Sequence, residues 1–320
     1  MLFAPDRLSL GIVLPMQSRE QRDVDLAAQL ALARQADELG FAALWLRDVP
    51  LNSPGYPDPI GHSDPWVLAG ALAAVTKKIE IVTGAIVLPL RHPLHVAKAA
   101  LSLNDLSGGR FTLGLGSGDR PPEYELFGRG FEIRKELFRD NWQRVAAALR
   151  SDPSVLDEAG QERPDFELLP RVERRRVPMI AVGSSGQSLE WIARNAEGWA
   201  TYHREFAVQK DRIALWKNAV AKSTTQIRSF SQAMALHLLD DPKAPAETAG
   251  LGYRTGRLAL VDILKELREA GVSHVMFNIG GGRRPVPEVL SELASDILPF
   301  SSPRKGGFST VPVLSHPGQA

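Results

Sequence analysis

Short apolar runs rich in β-branched residues alternate with amphipathic stretches along most of the chain, and the two patterns predict two kinds of element. The runs at 8–14, 42–46, 79–85, 110–115, 179–182, 199–202, 232–238 and 274–279 are short and nearly continuous in apolar character, which suits strands covered on both faces. Between them the spacing changes to that of a helix. Leu26, Leu30, Ala33 and Ala36 form one stripe of a helix that starts near Asp25 and stops at Gly40. Asp64-Pro65 opens another, an N-cap followed by the proline that a first helical turn tolerates. Further helices are predicted over 95–106, 133–149, 187–195, 207–222 and 257–270, the last stopping at Gly271. Eight strands, each followed by a helix, is the count that closes a parallel barrel, whereas an open doubly wound sheet usually has about five to seven. The pattern therefore predicts an α/β protein, a (β/α)8 TIM barrel spanning 1–300 as one domain, with insertions at the carboxyl ends of its strands.

Two segments fall outside this repeat. Residues 151–177, with Asp157-Glu158 and the arginine-rich run 171–176, read as a surface connection whose cations are solvated among acidic neighbours. Residues 301–320, rich in Ser, Pro and Gly, bury little apolar area and are expected to form a flexible C-terminal tail or an arm on a partner subunit.

Composition narrows the chemistry. Lys and Arg number 38 against 37 Asp and Glu, so nothing in the charge balance points to nucleic acid or an anionic membrane as partner. The absence of cysteine excludes disulfides, thiolate nucleophiles, thiolate zinc sites and iron–sulfur ligation. Redox chemistry would then need a bound organic cofactor or a metal held by nitrogen and oxygen. His62, His92 and His203 share no ligand spacing, and no metal is expected. No run approaches 18 apolar residues, and Asp6 and Arg7 interrupt the N-terminal one, so a cytoplasmic protein is expected.

In a barrel the acting residues sit at the carboxyl ends of the strands. After the fifth predicted strand, Gly183-Ser184-Ser185-Gly186-Gln187-Ser188 offers backbone amides and hydroxyls before a helix, the chemistry of a phosphate cradle, although a tight turn uses the same residues. Gly114-Leu115-Gly116-Ser117-Gly118 lacks the third glycine of a dinucleotide fingerprint and follows the fourth strand rather than the first. Its glycines are expected to let a flat ring approach the backbone. Gly280-Gly281-Gly282-Arg283-Arg284 reads either as a flexible cationic lip or as a turn with solvated arginines. Trp199 and Tyr202 are the aromatic residues expected to reach the pocket, and 51–62 and 120–131 are long enough to act as lids.

The stretch from Thr83-Gly84-Ala85 through Arg91-His92-Pro93-Leu94, with Leu106-Ser107-Gly108-Gly109-Arg110 leading into Gly114–Gly118, resembles the bacterial luciferase family of flavin-dependent oxidoreductases. The resemblance implies a barrel that binds FMN, or a deazaflavin, at the carboxyl ends of its strands. It places a cis peptide between Gly84 and Ala85 beside the ring, and a phosphate loop on Ser184, Ser185 and Ser188, which Gly183 and Gly186 flank. The family's phosphate arginine falls on Ser117, which leaves Arg120 as the nearest replacement. Its catalytic histidine falls on Val49, after Asp48, so light emission is not expected. Asp48, His62, His92, His203 and Asp119 are candidate acid–base groups, with Asp48 and His92 placed first; for His92 the alternative is a hydrogen bond that shapes the turn before Pro93. The function implied is a two-component monooxygenase, commonly a homodimer in the family, that uses O2 on a small organic substrate with reduced FMN from a separate NAD(P)H-dependent flavin reductase. The alternatives are a deazaflavin-dependent hydride-transfer enzyme and a flavin-binding member without turnover.

Overall fold

The computed structural model describes residues 7–17, 22–56, 58, 60–169 and 176–301. Eight parallel strands follow one another around a closed sheet: β1 (Ser9–Val13), β2 (Ala43–Leu46), β3 (Glu80–Thr83), β4 (Phe111–Gly116), β5 (Met179–Val182), β6 (Gly198–Tyr202), β7 (Ser229–Leu238) and β8 (His274–Asn278). Closure is made by β8, where His274 lies in register with Ser9 of β1 and with Ser231 of β7. The covering helices are α1 (Leu26–Leu39), α2 (Pro65–Val75), α3 (Pro93–Leu106), α4 (Arg134–Ala148), α5 (Leu189–Asn195), α6 (Phe206–Ser223), α7 (Arg257–Ala270) and α8 (Val286–Glu292). The fold is thus the (β/α)8 barrel that the alternation predicts. The stretches 171–175 and 302–320, which include most of the arginine run and of the tail, lie outside the described residues. Among the described residues no helix is long and apolar enough to cross a membrane.

Local signals set several of these boundaries. Asp25 caps α1 by accepting from the Ala28 amide, and Gly40 ends it at φ 91°, a left-handed conformation that costs glycine little. Asp64 caps α2 by accepting from the amides of Trp66 and Val67. One feature had no sequence signal: β7 outgrows the barrel, and its far half pairs with Gly252–Thr255, itself paired antiparallel with Glu247–Thr248.

Alternate residues of each strand point into the barrel. That interior holds Val13, Ala43, Trp45, Val82, Ile180, Ala200 and Met276, a small cluster separate from the larger core between sheet and helices. The small residues leave room for one large ring. Trp45 fills the space, and its indole lies so close beneath Gly84 that a β-carbon there would come within 2.7 Å of it.

The indole is held from below. Trp45 Nε1 donates to Nε2 of His274 at 2.9 Å, and an indole nitrogen can only donate, so Nδ1 carries the imidazole proton and donates to Ser9 Oγ at 2.7 Å. Ser9 in turn donates to the Ser273 carbonyl. His274 is fully buried, and burial holds its pKa down at about 3. The unfolded chain takes up this proton near pH 6.5 and the folded protein does not, so stability present above that pH is lost as pH falls toward 3. We expect the His274 contribution to reach about 1.4 kcal/mol per pH unit in that window, and a His274→Gln variant to flatten the acid limb of stability against pH in urea titrations.

Candidate functional site

The site is built around a break in β3. Pairing with β4 runs through Ile81 with Phe111 and Val82 with Thr112, then resumes at Ile86 with Leu115. Four steps on one strand match three on the other, so Thr83-Gly84-Ala85 forms a bulge of one extra residue. The Thr83 hydroxyl replaces the missing ladder, donating to the Gly114 carbonyl and accepting from the Gly114 amide, both at 2.8 Å. The peptide between Gly84 and Ala85 is cis. Gly114 is required by this crossing, because its β-carbon would lie 1.8 Å from the Thr83 carbonyl oxygen. The glycine there serves the neighbouring strand rather than an approaching ring.

Asp48 secures the chain beyond the bulge. Its Oδ2 accepts from the Val87 amide at 3.0 Å and from Arg91 Nε at 2.9 Å, while Oδ1 accepts from Arg91 Nη2 at 2.8 Å. The carboxylate is buried, with only 1% of its side chain exposed, and Arg91 is a quarter exposed. This bidentate geometry makes Asp48 a clamp between the ends of β2 and β3. Arg91 stands in the Arg91-His92-Pro93 turn, but nothing in the sequence spacing pairs it with Asp48. His92 caps α3, its Nδ1 accepting from the Leu94 amide at 3.3 Å, and its ring meets His95 edge-on. That is the turn-shaping role named as its alternative.

The loop after β5 lies beside the end of β4. Ser185, at φ 49° and nearly buried, accepts from the Ser117 amide through its hydroxyl at 3.1 Å. The Tyr124 hydroxyl donates to the Ser117 carbonyl, and burial raises the Tyr124 pKa. Ser188 caps α5 by accepting from the Trp191 amide at 3.2 Å. The amides of Ser184, Ser185 and Gly186 have no acceptor among the described residues, and a β-carbon on Gly183 would meet none of their atoms within 4 Å. The aliphatic part of Lys135 lies against Gly186, and the Lys135 carbonyl accepts from Gln187 Nε2 at 2.8 Å. Lys135 is thus the cation at this loop, on an exposed turn of α4 that no sequence motif marks.

Arg120 faces elsewhere. Its Nη1 donates to the Leu51 carbonyl at 3.0 Å, and it pairs with Asp58 at 3.5 Å and Glu123 at 3.7 Å. It latches the loop after β2 onto the short helix Pro121–Leu126, so the two segments named as lids are joined to each other. Asp58 lies at the centre, accepting from Arg47 Nη2 at 2.8 Å; burial opposes its charge, but Arg47 and His62 outweigh burial and lower its pKa. His62 is pushed down by burial and by Arg47, whose Nη1 lies 3.2 Å from His62 Nε2. Glu123 is pushed up by burial.

The remaining candidates divide between rim and shell. Tyr202 shares the inward parity of Ala200 and is 58% exposed, which places it at the barrel mouth. Trp199 corrects the expectation made for it. It points outward to Trp216 and Phe230 with its Nε1 on the Gly183 carbonyl, because its parity on β6 is opposite to that of Tyr202. His203 is buried against Tyr253 and near Gln232 in the outer layer, and burial lowers its pKa. Asp119 is exposed. The glycine turn after β8 is packed rather than an open lip: Gly280 lies against the Gln17 carbonyl, and Arg284 pairs with Glu292 at 2.6 Å.

Gly84, Ser117, Ser185 and Gly280 therefore surround one end of the barrel, and that arrangement accompanies a clear sequence match. Residues 8–261 match the family model described as luciferase-like monooxygenase. The chain belongs to the luciferase-like monooxygenase family. An uncharacterised protein of Mycobacterium tuberculosis is 31% identical over 192 residues, 59% of this chain and 66% of that protein. A 4-hydroxyprotoasukamycin monooxygenase of Streptomyces nodosus subsp. asukaensis is 34% identical over 125 residues, 38% of this chain and 32% of that enzyme. The chain thus spans less than two thirds of the length of these relatives. Among solved structures, a monooxygenase from Streptomyces bottropensis superposes with TM-score 0.76 at 18% identity, covering 92% of this chain and all of that one. An F420-dependent secondary alcohol dehydrogenase superposes with TM-score 0.75 at 16% identity, covering 93% and 100%. The FMN-bound oxygenating constituent of 3,6-diketocamphane monooxygenase from Pseudomonas putida gives 0.60 at 17% identity, covering 72% and 68%. These structural likenesses carry the fold.

Proposed function

We propose that this luciferase-like protein is the oxygenating component of a two-component flavin monooxygenase, which takes reduced FMN from a separate NAD(P)H-dependent reductase and uses O2 on a small organic substrate. A cytoplasmic homodimer belongs to the same proposal. The observation that carries it is the serine loop: amides of Ser184, Ser185 and Gly186 without acceptors among the described residues, the Ser184 and Ser188 hydroxyls, and Lys135 alongside supply the donors that a flavin phosphate needs. FMN is favoured over a deazaflavin because a named sequence relative, at 34% identity, is a monooxygenase, whereas the likeness to the F420-dependent alcohol dehydrogenase, at 16% identity, is one of fold.

Reduced flavin, when bound, supplies the electrons that activate oxygen. The chain's own part is to bind, orient and dry the site. The bulge at Gly84-Ala85, supported from beneath by Trp45, presents backbone without bulky side chains toward the mouth. Asp48 and Arg91 hold the following residues in place. The segments joined by Arg120 close the side of the mouth next to β2 and exclude water there.

The test is a flavin titration. Changing Ser184 and Ser188 together to Ala removes hydrogen bonds to a charged group worth about 1.5–3 kcal/mol each, and FMN binding is expected to weaken at least tenfold. Loss of the α5 cap costs about 1 kcal/mol, so thermal unfolding is followed in parallel. Unchanged FMN affinity in a folded double variant would remove the phosphate from this loop.

A further inference from the structure

Beneath the bulge, inside the barrel, two rings from opposite ends of the sequence touch each other. Trp45 of β2 and His274 of β8 lie with ring centroids 5.6 Å apart and planes inclined by 25°, joined by the 2.9 Å bond from the indole Nε1 to the imidazole Nε2. The backbone leaves space for this contact. A β-carbon on Gly11 of β1 would stand 2.8 Å from His274 Nε2 and 2.9 Å from the Ala43 carbonyl oxygen, so a side chain at that position would push the imidazole off the indole. Below, the imidazole is anchored to Ser9 Oγ at 2.7 Å, and Ser9 to the Ser273 carbonyl at 3.2 Å.

Filling the barrel does not call for such a pair. Two apolar side chains of the same volume would pack at no desolvation cost, and a buried hydrogen bond adds little net stability over them. What the bond supplies is direction. A satisfied buried polar network holds its members in one arrangement, and here it holds the rotation of the indole. The other edge of that indole meets the bulge: a β-carbon on Gly84 would stand 2.7 Å from Trp45 Cε3 and 3.3 Å from Cζ3. Nε1 lies on the five-membered ring and these two atoms on the six-membered one, so an indole that turned away from His274 would move the edge beneath Gly84. The bulge is otherwise tied at its sides, by the Gly84 amide donating to the Leu46 carbonyl at 2.6 Å and the Val87 amide donating to Asp48.

We propose that His274 is a positioning residue for the flavin ring: it fixes the Trp45 indole in one rotation, and the indole sets how far the Gly84-Ala85 backbone stands into the barrel mouth. That a ring rests on this backbone depends on the flavin reading above; the coupling of His274 to the bulge does not. Through Trp45, a residue on the last strand thus controls a loop at the end of the third.

Three variants of the full chain test it. His274→Leu removes the acceptor of the indole N–H, His274→Gln offers Oε1 to the same N–H, and Ser9→Ala keeps both rings while removing the lower anchor. Amide hydrogen exchange of the flavin-free proteins is read by mass spectrometry over 83–88, with 198–202 on β6 as the reference, because a general loss of stability speeds both and a loosened bulge speeds one. FMN titrations then give the affinity, and visible circular dichroism the setting of the bound ring. His274→Leu is expected to speed exchange over 83–88 about tenfold relative to the reference, to weaken FMN binding about tenfold and to change the dichroism of the ring. His274→Gln should restore most of each, and Ser9→Ala should give the same signature at about threefold. If the Leu variant does not fold, Ser9→Ala against the wild type carries the comparison. Exchange that rises equally in both segments would make His274 a packing residue and overturn the coupling. Faster exchange of the bulge with unchanged FMN affinity and dichroism would overturn the positioning role and leave the flavin reading standing. A wild-type protein that binds no FMN counts against the flavin reading, and exchange confined to the bulge of its variants still supports the coupling.

Discussion

Replacing Arg91 with Met is expected to destabilise the protein by about 3 kcal/mol or more, a cost well beyond that of an ordinary surface cation. The reason is the carboxylate left behind. The Asp48 side chain is only 1% exposed, and without the guanidinium the Val87 amide is the one hydrogen-bond donor left to it among the described residues. The reverse change is milder: Asp48→Asn still accepts from Val87 and leaves a cation that is a quarter exposed and can remain with Asp64. About 1–2 kcal/mol is expected for it. Combined, Asp48→Asn should recover part of the Arg91→Met loss, because the buried charge is gone. A double-mutant cycle in urea measures this directly. Equal losses for the two single variants, with simple additivity in the double, would show that the pair acts as a surface ion pair and not as a clamp.

Gly114→Ala is expected to be the most damaging small substitution in the barrel. The added carbon would stand 1.8 Å from the Thr83 carbonyl oxygen, and the obstructing atom is backbone inside a closed sheet. Relief requires β3 and β4 to part, which also breaks the two hydrogen bonds between the Thr83 hydroxyl and Gly114. Overpacking alone costs about 1–3 kcal/mol, and two broken buried bonds add about 1 kcal/mol each, so little folded protein should accumulate. Gly55→Ala supplies the contrast. Apart from its chain neighbours, no atom of the described residues lies within 4 Å of its added carbon, and a change within about 0.5 kcal/mol is expected. Urea midpoints of the two variants check the pair, and a fully stable Gly114→Ala protein would mean that the bulge is not built as described.

The barrel was legible because its signals are local and repeated: apolar runs of strand length, a change of period between them, and caps such as Asp25, Gly40 and Asp64. The hairpin at Glu247–Thr248 and Gly252–Thr255 was not, since its strands are too short and too polar to leave a period. The serine loop was legible for the same reason as the barrel, being one contiguous run. Contacts made between distant segments were hidden. Nothing in one dimension shows that Asp48 meets Arg91, that Arg120 turns to Asp58, or that Lys135 comes to lie on Gly186. Trp199 was misplaced by a single step of strand parity, the smallest error a strand permits and one that exchanges the barrel mouth for the helical layer.

We propose that this chain uses reduced FMN and oxygen to place an oxygen atom in a small organic molecule. The most direct test supplies the protein with chemically reduced FMN, isotopically labelled dioxygen and a set of small organic compounds, and follows the products by mass spectrometry. The expected product carries one labelled oxygen atom and forms only when protein and reduced FMN are both present. Conversion that proceeds without oxygen, needs a reduced deazaflavin and leaves no label in the product would contradict the proposal.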